Sequence, residues 1–132
     1  MVVKNIRVVA VTVLAMVLVA ILAVFFWDAT HGPTEFDRSV WLHTEITSDY
    51  PRLRMADGLL KSRVLLGKAR SEIEAMLGPP TYIGYLGSGL VKKPGFVYRL
   101  GPEREYPGID IEYLALDFDS TGKVYDAHVF NR

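Results

Sequence analysis

Residues 68–80 read KARSEIEAMLGPP, and this stretch decides where the helical part of the domain ends. Its apolar residues recur at the spacing of one helix face, namely Ile73, Met76 and Leu77. Gly78 and the two prolines after it do not continue a helix, because glycine there favours a left-handed cap and proline lacks the backbone donor. The stretch therefore predicts a short helix over residues 69–77.

On the C-terminal side of this helix the chain changes to aromatic and β-branched runs separated by Gly and Pro, a composition typical of antiparallel strands. Four strands are predicted, near residues 81–86, 95–100, 109–118 and 123–130. The last two are joined by DSTG, in which Gly122 supplies the positive φ of a tight turn. In the third strand two apolar sets alternate in opposite phase, which predicts either a bulge or a strand partly covered on both faces.

On the N-terminal side lies a second apolar stripe. Leu53, Ala56 and Leu60 recur at helical spacing after Pro51, which suits a first helical position, so a helix is predicted over residues 51–62. These elements predict an α+β domain in which two short helices pack on a three- to four-stranded antiparallel sheet. The expected core draws on both parts: Leu60, Ile73, Met76, Leu77, Leu114, Leu116 and Phe118.

Farther toward the N-terminus, residues 8–27 contain no charged residue, Asn, Gln, Gly or Pro. Twenty helical residues at a rise of about 1.5 Å each cover about 30 Å, which matches the hydrocarbon thickness of a bilayer. The run begins at Val8 and ends at Trp27, a residue type that prefers the headgroup level. Because the apolar region of a cleaved signal is usually about 7 to 15 residues, we expect an uncleaved single-pass anchor.

The charges around this span predict its direction. Lys4 and Arg7 precede it, whereas Arg38 is the only Lys or Arg in residues 28–50. The positive-inside rule then places the N-terminus in the cytoplasm and the domain in the periplasm or another extracytoplasmic space, at the inner membrane of the cell envelope. The chain divides into a cytoplasmic tail with its transmembrane anchor, a juxtamembrane linker and a domain, at residues 1–27, 28–48 and 49–132.

The predicted linker has one feature of its own. Thr34, with Asp37 three residues later, predicts the cap of a short helix. Trp41 would lie on that helix and dock either on the domain or on lipid headgroups, where amphipathic rings are common.

Composition narrows the partners. The chain has no cysteine, which leaves neither a disulfide nor a lipidated thiol. Without Lys4 and Arg7, 13 basic residues stand against 15 acidic ones, and both signs are spread along the chain. Because a nucleic-acid-binding domain needs a basic patch, we expect no nucleic acid as a partner. The apolar span predicts contact with membrane lipid, and the external position of the domain leaves a protein of the cell envelope as the expected protein partner.

The quoted stretch and its surroundings resemble a known family. Gly67, a short helix ending in Leu77, Gly78 and Pro80, and a late strand that enters the Gly122 turn are similar to the small outer-membrane assembly lipoproteins of the SmpA/OmlA/BamE type, over roughly residues 59–129. The resemblance implies the fold of the β-lactamase inhibitor protein repeat, with two helices on one sheet face, no enzymatic activity and a role in envelope assembly through protein contacts. The chain departs from the family because it lacks the lipidated cysteine.

The segment LALDFDSTG, residues 114–122, allows a different interpretation. An apolar strand followed by D-x-D-x-T resembles the nucleophile motif of haloacid-dehalogenase-type phosphatases, in which Asp117 would attack phosphorus, Asp119 would transfer the proton and Mg²⁺ would bridge them. Only 13 residues follow Asp119, too few for the βα units that supply the remaining ligands. The segment also begins like an EF-hand loop, but position 12 is His128 and not Glu. We therefore expect a structural hairpin turn, without a catalytic, cofactor or metal site.

Tyrosines recur along the predicted strands. Since helices can cover only one face of the sheet, those on the other face would form an aromatic contact surface, and the candidates are Tyr82, Tyr98 and Tyr113. We therefore expect a non-enzymatic interaction module of the envelope that supports envelope or outer-membrane protein assembly. Two alternatives remain, the metal-dependent phosphatase and an inhibitor of an extracytoplasmic enzyme that inserts the loop of residues 87–94.

Overall fold

The computed structural model describes residues 2–44, 51–86, 92–104 and 109–132. The chain divides into two compact units, Met1–Gly32 and Pro33–Arg132. The first is a single helix, α1, over Val2–His31. Its segment Val8–Thr30 is long and apolar enough to cross a membrane, and none of it is buried within the protein. By length and composition this helix agrees with the predicted anchor.

The second unit contains, within its described residues, three helices and four strands: α2 Arg38–His43, α3 Pro51–Ser62, α4 Arg70–Leu77, β1 Tyr82–Leu86, β2 Lys92–Pro102, β3 Ile111–Phe118 and β4 Val124–Asn131. The strands form one antiparallel sheet in the order β1-β2-β3-β4, so every strand pairs with its neighbour in the chain. The predicted α+β class is confirmed, with four strands in the sheet.

The helix ends follow from local chemistry. α3 has the predicted bounds, whereas α4 begins one residue later than predicted, after Ala69 as its N-cap. The Ala69 side chain cannot accept a hydrogen bond, and the cap is completed from the other side, because the Ala69 N–H donates to the carboxylate of Glu72 at 2.7 Å. Gly78 ends the helix at φ 79°, and its N–H donates to the Glu74 carbonyl at 2.8 Å. Gly67 and Gly122, at φ 78° and 79°, likewise have the positive φ that favours glycine in the two turns.

The core lies between the helices and one face of the sheet. Five of the predicted core residues are buried, namely Ile73, Leu77, Leu114, Leu116 and Phe118, while Leu60 and Met76 are partly buried and pack against them. The sheet residues in this core alternate along β2 and β3, as in Phe96, Tyr98 and Leu100 of β2. This alternation identifies the helix-covered face of the sheet.

Helix α2 completes this core. Its N-cap is Asp37 and not Thr34, because the Asp37 carboxylate accepts the Val40 N–H at 2.9 Å. Trp41 is only 1% exposed, and its indole N–H donates to the Leu77 carbonyl at 2.9 Å. Of the two expected docking sites for Trp41, the structure shows the domain.

The segment before α2 also packs on the domain. The Thr34 N–H donates to the Arg54 carbonyl at 3.0 Å, and a Cβ on Gly58 would lie 2.4 Å from the Thr34 carbonyl oxygen. Only glycine at position 58 allows this approach of the segment to α3. The compact domain therefore starts at Pro33, sixteen residues earlier than the boundary expected at residue 49. Residues 45–50, at that boundary, lie outside the described residues.

Strand β3 begins at Ile111, so Ile109 of the opposite-phase apolar set precedes it and is 76% exposed. Leu114 and Leu116 face the helices, while Ala115 and Asp117 on the opposite face are 0% and 1% exposed. The strand is therefore covered on both faces from Leu114 onward, one of the two predicted alternatives. The register shifts lie opposite β3, at Leu100 of β2 and Tyr125 of β4.

Candidate functional site

The sheet face opposite the helices, here called the open face, is built from three cross-strand rows. The register defines them as Tyr82, Val97, Ala115 and His128; Arg99, Tyr113 and Phe130; and Gly95, Asp117 and Asp126. Directly opposed residues of an antiparallel pair share one face, so these side chains lie together although their strands are up to 48 residues apart in the sequence, from Tyr82 to Phe130.

Aromatic rings cover the centre of the open face. The ring centroids of Tyr82 and Tyr113 lie 6.2 Å apart, and those of Tyr113 and Phe130 lie 5.5 Å apart in a stacked arrangement. The His128 ring follows at 6.3 Å from Phe130. We call these four side chains the aromatic surface. Beneath it Val97 and Ala115 are only 2% and 0% exposed, while Tyr82 at the edge is 56% exposed.

A cation accompanies the rings. Arg99 lies directly opposite Tyr113 in the β2–β3 register, which places it on the open face. Its Nε is buried and has no hydrogen-bond partner among the described residues. Tyr and Arg are the residue types that are enriched at protein interfaces and dominate their energetics. The open face therefore combines the side chains expected of a contact surface.

Tyr98 does not belong to that surface. The prediction that placed it beside Tyr82 and Tyr113 is wrong. It is 3% exposed on the helix-covered face, where its hydroxyl donates to the Gly78 carbonyl at 3.0 Å and its ring meets Trp41 edge-on at 6.2 Å. Burial, and then the nearby Glu74 carboxylate, raises the pKa of Tyr98, so the hydroxyl keeps its proton and remains a donor. The hydrogen bond from Tyr98 to Gly78 therefore links the end of α4 to β2. The sequence contained a signal for this, because Tyr98 alternates in phase with the apolar Phe96 and Leu100.

A group of titratable side chains lies beside the aromatic surface. The potential ligand atoms of Asp117, Asp126 and His128 all lie within 4.8 Å of one another, and the Nδ1 of His128 is 3.1 Å from an Asp126 carboxylate oxygen. Two carboxylates and an imidazole are donors that several divalent metals accept, and they equally form an ordinary hydrogen-bonded group. The sequence alone makes Asp117 a candidate and His128 only the residue that breaks the EF-hand pattern, and it does not single out Asp126. The strand register brings the three together.

Asp119 has a different role from the one that the phosphatase interpretation gives it. Its carboxylate accepts hydrogen bonds from the Thr121 hydroxyl, the Thr121 N–H and the Lys123 N–H at 2.7, 2.8 and 3.0 Å. The Thr121 hydroxyl, followed by the Lys123 N–H, lowers the pKa of Asp119. The carboxylate thus holds the β3–β4 turn, as expected for a structural hairpin.

The loop of residues 87–94, expected to insert into an enzyme in the inhibitor alternative, lies mostly outside the described residues.

The motif residues of the family resemblance are all described. Gly67, Gly78 and Gly122 lie in turns at positive φ, Leu77 is buried at the end of α4, and Pro80 precedes β1.

Comparison of the chain with models of known protein families, with curated proteins and with solved structures gives no match. The resemblance to the SmpA/OmlA/BamE type therefore stays a prediction that rests on those five residues.

Proposed function

We propose that this chain is a membrane-anchored, non-enzymatic interaction module of the cell envelope, whose domain lies outside the cytoplasm and presents the aromatic surface to an envelope protein. One observation carries the proposal: rings of Tyr82, Tyr113, His128 and Phe130 form a contiguous patch on the sheet face that the helices leave uncovered. A role in supporting envelope or outer-membrane protein assembly follows only from the family resemblance and is proposed on that basis.

The energetics of the aromatic surface favour binding. Its rings stand on a continuous antiparallel sheet and contact one another, so they lose little conformational freedom when a partner covers them. A buried Tyr contributes a large apolar area together with a hydroxyl that can reach a partner at the rim. The Arg99 guanidinium, on the same face as Tyr113, adds charged donors for a carboxylate or carbonyl of the partner.

The predicted anchor determines on which side of the membrane the domain lies. A helix that can cross a membrane, with Lys4 and Arg7 on its N-terminal side, favours an extracytoplasmic domain by the positive-inside rule. Anchoring also confines the domain to the membrane surface, which raises its effective concentration toward a partner in the same membrane or the adjoining space. A weak contact through the aromatic surface would then be sufficient to hold the partner at the membrane.

Site-specific photocrosslinking in cells tests the proposal. A photoreactive phenylalanine analogue is introduced at Tyr82 or Tyr113, and in the control at Ser71, an exposed position on α4. We expect the same envelope protein to be trapped from both open-face positions and not from Ser71. Equal trapping from all three positions, or no adduct from Tyr82 and Tyr113, contradicts the proposal. A topology reporter fused after Arg132 tests the extracytoplasmic location independently.

A further inference from the structure

The outer edge of β4 carries unpaired backbone groups. Ile111 and Arg132 exchange both backbone hydrogen bonds, at 3.1 and 3.0 Å. Bonded and non-bonded pairs alternate along an antiparallel ladder, so the backbone N–H and C=O of Ala127, Val129 and Asn131 point away from β3. Within the described residues these outward groups have no backbone partner.

The beginning of this edge is already extended by the chain itself. The Val124 carbonyl accepts the Gly67 N–H at 2.7 Å, and the Val124 N–H donates to the Lys68 carbonyl at 2.9 Å. The turn before α4 thus pairs with β4 as a fifth strand would, but only at Val124. The row of backbone hydrogen bonds along the outer edge of β4 stops there. An added strand would continue this row along Ala127, Val129 and Asn131.

The two edges of the sheet differ in how they are protected. β1 is five residues long, follows Pro80 and has an irregular register at Gly84, features that discourage pairing with another chain. β4 reads VYDAHVFN over eight residues, without Lys, Arg or Pro. Its only irregularity is at Tyr125, before the unpaired groups begin. β4 is therefore the edge that favours strand addition.

A cleft with both apolar and charged walls adjoins the first half of this edge. Its volume is about 190 Å³. Leucines of α3 and the following turn form its apolar wall, and the full lining is Leu59, Leu60, Arg63, Leu65, Leu66, Tyr125, Asp126 and Ala127. A residue opposite Ala127 on an added strand would share the helix-covered side with Ala127. The leucine wall of the cleft beside it suits an aliphatic side chain.

A second, acidic cleft adjoins the other end of the edge. Its volume is about 380 Å³, and Glu103, Glu112, Arg104 and Asn131 contribute to its walls. Arg104 pairs with Glu112 at 2.9 Å and also with Asp57. Glu103 is 9% exposed, and its carboxylate accepts the Asn131 side-chain amide at 2.6 Å.

The charges of this cleft do not balance. Among the described residues that line the cleft, Arg104 is the one cation; it pairs with Glu112 and with the neighbouring Asp57, whereas no ion pair is seen for Glu103. A largely buried carboxylate without a cationic partner is costly, so an added positive charge beside Glu103 is favoured. The cleft suits the end of a Lys or Arg side chain.

The spacing of the two clefts defines a ligand. Residues opposite Ala127 and Asn131 on an added strand are four apart, about 13 Å, and point to the same side. We propose that the β4 edge binds an extended peptide segment of a partner protein, which pairs with Ala127, Val129 and Asn131 and carries an aliphatic residue and, four residues away, a Lys or Arg. This surface shares only Phe130 with the aromatic surface among the described residues, and the proposal does not depend on the function proposed above.

Peptide binding to the full-length protein in lipid nanodiscs tests this inference. The probe is a fluorescent nine-residue Thr-rich peptide with one Leu and one Lys four residues apart, and the matched probe has Glu in place of the Lys. We expect fluorescence anisotropy to show at least about tenfold weaker binding of the Glu peptide, because it places a like charge in the acidic cleft.

A matched pair of protein variants tests the backbone pairing. Val129→Pro removes one outward N–H without removing a bond to β3, since Val129 and Leu114 are a non-bonded pair. It should weaken the Lys peptide about tenfold or more, whereas Val129→Ala, which keeps the N–H, should bind within about threefold of the wild type. Circular dichroism and the thermal midpoint verify the fold of both variants.

Amide hydrogen exchange of the unmodified protein gives an answer even if Val129→Pro does not fold. The amides of Ala127, Val129 and Asn131 should exchange rapidly in the free protein and become protected by the Lys peptide. No protection, or equal binding of the Lys and Glu peptides, overturns the proposal. Protection without peptide in a dimeric protein also overturns it, because a second copy then occupies the edge. Tyr82→Ala and Tyr113→Ala should leave peptide binding unchanged, which separates this test from that of the aromatic surface.

Discussion

The two faces of the sheet use the same residue types for different purposes. On the helix-covered face Tyr98 is enclosed, and its hydroxyl donates to the Gly78 carbonyl. On the open face Tyr113 packs between the rings of Tyr82 and Phe130. A shift of one residue in strand register exchanges these two environments. Whether a strand tyrosine stabilises the fold or is available to a partner is therefore decided by the face on which it lies.

The largest effect that distinguishes the two faces is expected from the helix-covered side. Trp41→Ala removes a residue that is 1% exposed together with its hydrogen bond to the Leu77 carbonyl, and should lower the free energy of unfolding by about 3–5 kcal/mol. Urea unfolding of the full-length protein in micelles, followed by far-UV circular dichroism, measures it. Trp27→Ala in α1 is the matched control, with an expected change of about 0.5 kcal/mol or less in the domain. A loss below about 1 kcal/mol for Trp41→Ala would show that α2 is not part of the core.

A smaller effect compares one substitution across the two faces. Tyr98→Phe leaves the buried Gly78 carbonyl without its donor and should cost about 1–2 kcal/mol of unfolding free energy. Tyr113→Phe on the open face should change it by less than about 0.5 kcal/mol. The same unfolding measurement serves for both. Equal costs would mean that the faces are not as different as the structure indicates.

The smallest effect on stability is expected in the turn that joins β3 to β4, which belongs to neither face of the sheet. Because the pKa of Asp119 is lowered from its ordinary value of 3.8, its contribution to stability is complete above that value and is lost as the pH falls through the lowered pKa. Asp119→Ala should therefore be less stable than the wild type at pH 7, and the difference should shrink toward pH 2. Ser120→Ala, in the same exposed turn, should show no such pH dependence. A constant difference for Asp119→Ala would contradict the assigned role.

Local signals in the sequence predicted most of the elements. Pro51 and the stripe of Leu53, Ala56 and Leu60 predicted the bounds of α3, and Gly78 and Gly122 predicted the end of α4 and the last turn. These features depend on neighbouring residues, so the sequence contains them directly. The start of the domain was different, because a single buried tryptophan in a polar segment does not reveal that the segment packs on a core.

The candidate site was predictable only in part. Tyr82 and Tyr113 were identified, but their contact with each other, and with Phe130 and His128, depends on the register of four strands. That register includes shifts at Leu100 and Tyr125, and the amino-acid composition does not predict their positions. The in-phase alternation of Phe96, Tyr98 and Leu100 would have placed Tyr98 correctly. The β4 edge could not be recognised without the hydrogen-bond pattern of the sheet.

Cysteine accessibility tests the central claim most directly, because the natural chain has no cysteine and each variant carries a single thiol. Tyr82→Cys on the open face and Ser71→Cys on α4 are labelled with a membrane-impermeant maleimide, in cells with an intact inner membrane and in the purified full-length protein. If the domain lies outside the cytoplasm with its aromatic surface occupied, both positions react in cells, and the rate at position 82 relative to position 71 is several-fold lower than in the purified protein. Equal relative rates in cells and in the purified protein, or labelling only after the inner membrane is broken, would contradict the account.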